Sequence, residues 1–127
     1  MSKKTSHDFK QEDKKIIDIF TDLGMPKNLA KTLLYVSKVD ECRSADIERG
    51  ADLRQPEVSV AMQKLRDRGW IEERHKKKEG KGRPVHLYKL SAPIADIIEN
   101  FEEEKMEEVN TIQNDLNELK NLIDKKT

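Results

Sequence analysis

The sequence predicts a mainly α-helical domain carrying a small β-hairpin, extended by one long C-terminal helix. Three observations predict it. Apolar residues recur at helical spacing in four short segments before Gly69, whereas residues near 70–74 and 85–90 read as two short strands. Beyond Pro93 the chain runs to about residue 124 without another Pro or any Gly. Of the 127 residues, 35% are hydrophobic and 39% charged, too little apolar material for one compact core of that length. Part of the chain is therefore expected to be an extended, solvated element.

Residues 1–12 are polar and aperiodic and read as a disordered tail. That leaves an ordered domain over 13–91 and a terminal helix over 92–127. The first helix is predicted over 13–23, with Ile16, Ile17, Phe20 and Leu23 on one face. Gly24 closes it and Pro26 opens the second helix, which is striped by Leu29, Ala30, Leu33 and Leu34 and ends near Lys38. Val39-Asp40-Glu41-Cys42 reads as a loop, and a short third helix anchored by Ile47 runs to Gly50. Gly50-Ala51-Asp52-Leu53 then forms a tight turn. In the fourth helix, over 55–68, Val58, Ala61, Met62 and Leu65 follow the i, i+3, i+4, i+7 rule, Pro56 sits harmlessly in the first turn and Gly69 is the stop. The second strand, over 85–90, sets His86, Tyr88 and Leu90 against Val85, Leu87 and Lys89. A short helix, a tight turn, an amphipathic helix and a hairpin together make a winged helix-turn-helix.

The formal net charge is zero, but the charge is not evenly spread. Residues 54–90 carry eleven Lys/Arg and five acids, whereas residues 91–127 carry four Lys and ten acids. Polyanion binding depends on charge within a Debye length of about 8–10 Å, so the basic segment qualifies although the whole chain does not. With its apolar stripe inward, the fourth helix turns Pro56, Ser59, Val60, Gln63 and Lys64 outward, and Arg54 and Gln55 project from its N-terminal end. This set is short and able to hydrogen-bond. Gln can pair with adenine in two bonds, and Ser or a small apolar group can meet a thymine methyl. Asp67 would repel a phosphate, so groove entry should favour the first two turns. The following segment, RHKKKEGKGR over 74–83, holds six Lys/Arg and one acid. Lys76, Lys77, Lys78 and Lys81 are expected to neutralise phosphates, and Arg83 to enter an adjacent minor groove. A charge run in isolation is usually a solvated loop. Its position at a hairpin tip directly after a helix-turn-helix pattern favours contact with double-stranded DNA.

Several of these segments resemble TrmB-type archaeal transcription regulators. They are Leu23-Gly24-Met25-Pro26-Lys27-Asn28-Leu29-Ala30-Lys31, Asp46-Ile47, Gln55-Pro56-Glu57-Val58-Ser59, Leu65-Arg66-Asp67-Arg68-Gly69-Trp70-Ile71 and Gly82-Arg83-Pro84. The similarity covers roughly residues 13–92, and MarR- and ArsR-like proteins share much of the pattern. It implies a transcription regulator with the helix at 55–68 in the major groove. Full-length TrmB-type regulators carry a large C-terminal sugar-sensing domain, for which this chain has no length, so a sugar effector is not expected.

The terminal helix carries one seam of Ile94, Ile98 and Phe101 and a second of Val109, Ile112, Leu116, Leu119 and Ile123, spaced by alternating threes and fours. The 11-residue step from Phe101 to Ile112 shifts the register between them. A lone helix this polar does not hold in water by propensity alone, so pairing with a second copy as a coiled-coil homodimer is expected, with Ile98 and Phe101 among the contacts. The first seam also suits folding back on its own domain.

Other chemistries find little support. His7, His75 and His86 are scattered in sequence and the single Cys42 cannot complete a zinc site, so no metal or cofactor is expected. No P-loop, nucleophile elbow or Gly-rich dinucleotide loop is present, and enzymatic activity is not expected. Trp70 reads as a core residue and Cys42 as a partly buried bystander thiol rather than a redox sensor. No secretory signal or membrane segment is predicted, and one cysteine suits the cytoplasm. The alternative to a sequence-specific regulator is a winged-helix module that assembles a protein complex without reading DNA.

Overall fold

The computed structural model describes residues 9–76 and 85–126. Their order is α1 (Gln11–Asp22), α2 (Lys27–Ser37), α3 (Ser44–Ala51), α4 (Gln55–Asp67), β1 (Ile71–Lys76), β2 (Val85–Leu90) and α5 (Ile94–Lys126). The chain divides into two units, Met1–Ile94 and Ala95–Thr127. Of the tail read over 1–12, residues 1–8 lie outside the described residues, and Gln11 and Glu12 already belong to α1.

Three helices of the first unit begin with the same device. A carboxylate at the third helical position accepts the backbone N–H of the residue preceding the helix: Asp13 from Lys10 at 2.8 Å, Asp46 from Arg43 at 2.9 Å and Glu57 from Arg54 at 2.8 Å. Each bond satisfies a donor at the helix entrance and sets negative charge at the positive end of the helix dipole. Two helices also end alike. Gly24 and Gly69 have φ of 98° and 77°, a left-handed conformation that side chains resist. Around them, the N–H groups of Gly24 and Met25 donate to Thr21 and Phe20 at 2.9 and 3.0 Å, and those of Gly69 and Trp70 donate to Arg66 and Leu65 at 2.9 and 3.0 Å.

Helix α2 is the hub of this unit, packing against α1, α3, α4 and β2. Its Leu29, Ala30, Leu33, Leu34 and Val36 are buried, together with Ile47 of α3 and with Trp70 and Ile71 at the hairpin root. Buried Thr32 satisfies its hydroxyl by donating to the Asn28 carbonyl at 2.9 Å. The predicted face of α1 is corrected. Ile17 and Phe20 are buried, but Ile16 and Leu23 are exposed, as is Ile19. The inward line instead begins at Asp13, whose carboxylate lies 3.0 Å from the Lys38 ammonium. Burial alone would raise its pKa, but the Lys10 N–H and the Lys38 charge outweigh burial and hold it below the ordinary carboxylate value. Apolar spacing allowed either line, and this ion pair and cap favour the one through residue 13.

The turn between α3 and α4 also differs from expectation. Its left-handed residue is Asp52, at φ 56°, and the Leu53 N–H reaches back to the Glu48 carbonyl at 2.9 Å. Gly50 lies inside α3, where a Cβ would stand 2.0 Å from the buried ring of Tyr35. Gly50 is therefore a packing requirement. Gly50→Ala is expected to cost about 1–3 kcal/mol through overpacking. Thermal unfolding followed by circular dichroism checks this, and wild-type stability would mean that the ring moves aside freely.

Strands β1 and β2 form an antiparallel ladder running from the Ile71–Leu90 pair to the Lys76–Val85 pair. Cys42 adds a one-residue bridge to the far edge of β2: its N–H donates to the Tyr88 carbonyl at 3.0 Å, and the Tyr88 N–H returns a bond at 2.8 Å. The segment read as a loop over 39–42 thus ends in the sheet. In the second unit α5 is 33 residues long, and among the described residues no helix is long and apolar enough to cross a membrane.

Candidate nucleic-acid interface

Helix α4 has two unlike faces. Val58, Ala61, Met62 and Leu65 are no more than 4% exposed, whereas Gln55, Pro56, Ser59, Val60, Gln63 and Lys64 are exposed together on the opposite flank, with Arg54 just ahead of them. The side chains of that flank hold one another loosely along the helix. Gln55 Nε2 donates to Ser59 Oγ at 3.4 Å, Gln63 Nε2 donates to Asp67 Oδ1 at 3.2 Å, and Arg66 Nη2 donates to Gln63 Oε1 at 3.3 Å. These bonds are long and solvated, so a base edge can replace them at small cost. Val60, 56% exposed, supplies an apolar contact in the middle of the polar set.

The hairpin is joined to this scaffold by ion pairs. Arg66 of α4 pairs with Glu73 of β1, and Arg74 reaches Glu41 through two nitrogens, with Nη2 at 2.9 Å from Oε1. Arg74 is thereby committed to a carboxylate. Of the basic residues expected to meet phosphates, Lys76 is the last residue of β1. Lys77, Lys78, Lys81 and Arg83 lie outside the described residues.

Cys42 is buried at 4% exposure. Burial, and then the charges of Asp46 and Glu41, push its thiol up to about 12. The thiolate is the reactive form, so labelling by a thiol reagent at pH 8 is expected to be about 100-fold slower or more in the native chain than in denaturant. Equal rates would return Cys42 to the list of candidate redox sensors.

One grouping was missed by reading residues along the chain. His75 and His86 are far apart in sequence, yet they are direct cross-strand partners, and both face Glu73. The sequence predicts a strand that stops at Arg74. It runs on to Lys76, and the two extra residues bring His75 into the ladder. The signal was present as an acid and a histidine two apart on one strand, but only the pairing register places His86 opposite.

On α5, Val109, Ile112, Leu116, Leu119 and Ile123 are all exposed, as are Met106 and Leu122. In the first seam Ile98 is exposed, whereas Phe101 is buried, as is the neighbouring Ile97. Lys105 lies over the Phe101 ring at 5.4 Å. The free stripe therefore begins beyond Phe101.

No protein-family model and no curated protein sequence matches this chain. Solved structures do. A possible transcriptional regulator from Methanosarcina mazei Go1 superposes with a TM-score of 0.62 at 18% identity, over 87% of this chain and 88% of that one. NadR, solved in complex with 4-hydroxyphenylacetate, matches with a TM-score of 0.53 at 16% identity, over 99% of this chain and 94% of that one. The archaeal chromatin protein TrmBL2 matches with a TM-score of 0.53 at 13% identity, over 86% of this chain and 41% of that one. At such identities the likeness is one of fold. The fold is a winged helix-turn-helix: mainly helical, with a two-stranded antiparallel hairpin and a long C-terminal helix. These structural neighbours include MarR-family proteins as well as TrmBL2.

Proposed function

We propose that this chain is a sequence-specific, double-stranded-DNA-binding transcription regulator that acts in the cytoplasm as a homodimer and catalyses no reaction. The observation that carries the reading is the free flank of α4. A helix whose inner stripe is fully buried presents Arg54, Gln55, Pro56, Ser59, Val60, Gln63 and Lys64 to solvent, and such short groups fit a major groove. The basic run from Lys76 to Arg83 follows in sequence and would supply phosphate contacts. Within the winged-helix class, the segments quoted above favour a TrmB-type protein of archaeal origin. The exposed stripe of α5 supports pairing through Val109, Ile112, Leu116, Leu119 and Ile123, which would let two α4 helices address half-sites about 34–36 Å apart.

Duplex binding measured across a salt series tests this reading. Affinity is expected to fall by roughly 0.9 log units per log unit of salt for each phosphate neutralised. Gln63→Ala is expected to relax base preference at one position by about 1–3 kcal/mol, whereas Lys77→Ala weakens all sequences alike and flattens the salt slope by about one. Equal losses on every sequence for both variants would refute the assigned roles. Absence of duplex binding at low salt would leave a protein-assembly module.

A further inference from the structure

The group formed by Glu73, His75 and His86 is unused by the DNA-binding reading. One ligand atom from each lies within 4.8 Å of the other two, and this is the one such group of three among the described residues. From its geometry we infer a binding site for a divalent transition-metal ion of the zinc class near the far end of the two-stranded ladder, away from its root at Ile71 and Leu90.

The ladder builds the site. His75 and His86 occupy one cross-strand pair, and Glu73 lies two residues back on β1, so all three project from the same face of the sheet. The imidazole rings stand 4.3 Å apart between centroids, tilted by 50°, so neither ring blocks the other's nitrogens. His75 Nε2 lies 3.3 Å from Glu73 Oε2, and His86 Nδ1 contacts that same oxygen. Four ligands held at zinc distances of about 2.0–2.1 Å are separated from one another by about 3.3–3.4 Å. The His75–Glu73 spacing already matches, and His86 needs to withdraw by a fraction of an ångström for an ion to enter between the three. Without metal, each neutral imidazole can donate an N–H to Glu73 Oε2. An ion instead takes the nitrogen lone pairs and the same carboxylate oxygen.

The donor set selects the ion. Two imidazole nitrogens and one carboxylate suit zinc and its neighbours in the first transition row, whereas calcium and magnesium require a shell of oxygens. Arg66 binds the other oxygen of Glu73, which fixes the carboxylate and leaves Oε2 facing the histidines. The Glu73 side chain is 16% exposed, and those of His75 and His86 are 57% and 52% exposed. The anchor is thus held, while the open side admits an ion and leaves room for water as a fourth ligand. A bound ion would tie β1 to β2 at the next-to-last pair of the ladder, and through Glu73 to Arg66 of α4.

Zinc titration of the intact chain against a chromophoric chelator, without DNA, tests the site. One zinc per chain is expected, with micromolar affinity, unaffected by excess magnesium. His75→Ala and His86→Ala should each weaken it by about tenfold or more. His7→Ala and Cys42→Ser should leave it unchanged. Should a His→Ala variant fail to fold, ring carbon and nitrogen shifts of His75 and His86 in the unmodified protein report the same contact on adding zinc. No uptake at about 100 μM zinc, undiminished uptake by the double histidine variant, or a loss confined to His7 or Cys42 variants would each overturn the site. Because no duplex is present, failure here is distinct from failure of the DNA-binding reading.

Discussion

Removing residues 105–127 is expected to turn a dimer into a monomer and to lower affinity for a two-half-site duplex by about 10²–10⁴-fold. The segment carries a continuous line of exposed apolar side chains, Val109, Ile112, Leu116, Leu119 and Ile123, each between 42% and 58% exposed. Alone in water such a helix gains nothing from them, and the acidic run over 102–108 adds self-repulsion along the same helix. Pairing removes the line from solvent at about 25 cal/mol for each Å² buried. In the proposed dimer two linked α4 helices would bind as one, because engagement of the first half-site would raise the effective concentration at the second. Sedimentation velocity and duplex anisotropy measure the two consequences independently. The full-length variants Leu116→Asp and Leu119→Asp should reproduce both while circular dichroism shows the winged helix intact. A dimer that survives truncation would move the interface elsewhere, and the exposed Ile16, Ile19 and Leu23 of α1 would be the next surface to test.

The second large effect is expected from Leu65→Ala, which should cost about 2–5 kcal/mol of folding stability. Leu65 is fully buried, at the end of the stripe that holds α4 against the domain. Its carbonyl also accepts the Trp70 N–H at 3.0 Å, in the cap that turns the chain from α4 into β1. A cavity at this position loosens the attachment of α4 and the hairpin together. Val60→Ala, on the free flank at 56% exposure, should change stability by less than about 0.5 kcal/mol and instead alter duplex binding. Chemical denaturation and duplex titration of the two variants separate scaffold from surface. Similar stability losses in both would mean that the flank containing Val60 is not free.

Much of this was legible along the chain because it rests on local rules. The stripe Val58-Ala61-Met62-Leu65 could face only one way once α4 was a helix. Gly24 and Gly69 ended their helices because few other residues accept positive φ. What went astray depended on neighbours distant in sequence. Ile16 and Leu23 matched the apolar period of α1 as well as Ile17 and Phe20 did, and the Asp13–Lys38 contact favoured the other line. Gly50 looked like a turn residue until the ring of Tyr35 appeared beside it.

By itself, then, the amino-acid order determined the succession of elements, the inward and outward faces of α4, the basic and acidic division of charge and the exposed stripe of α5. Tertiary structure alone decided which line of α1 is buried, why Gly50 cannot carry a side chain, how Cys42 is drawn into the sheet and that Glu73, His75 and His86 share one place. The physical reason is range. Helix periodicity, caps and turns are set by residues within about five positions, whereas a strand acquires its partners only through a register that no single segment contains.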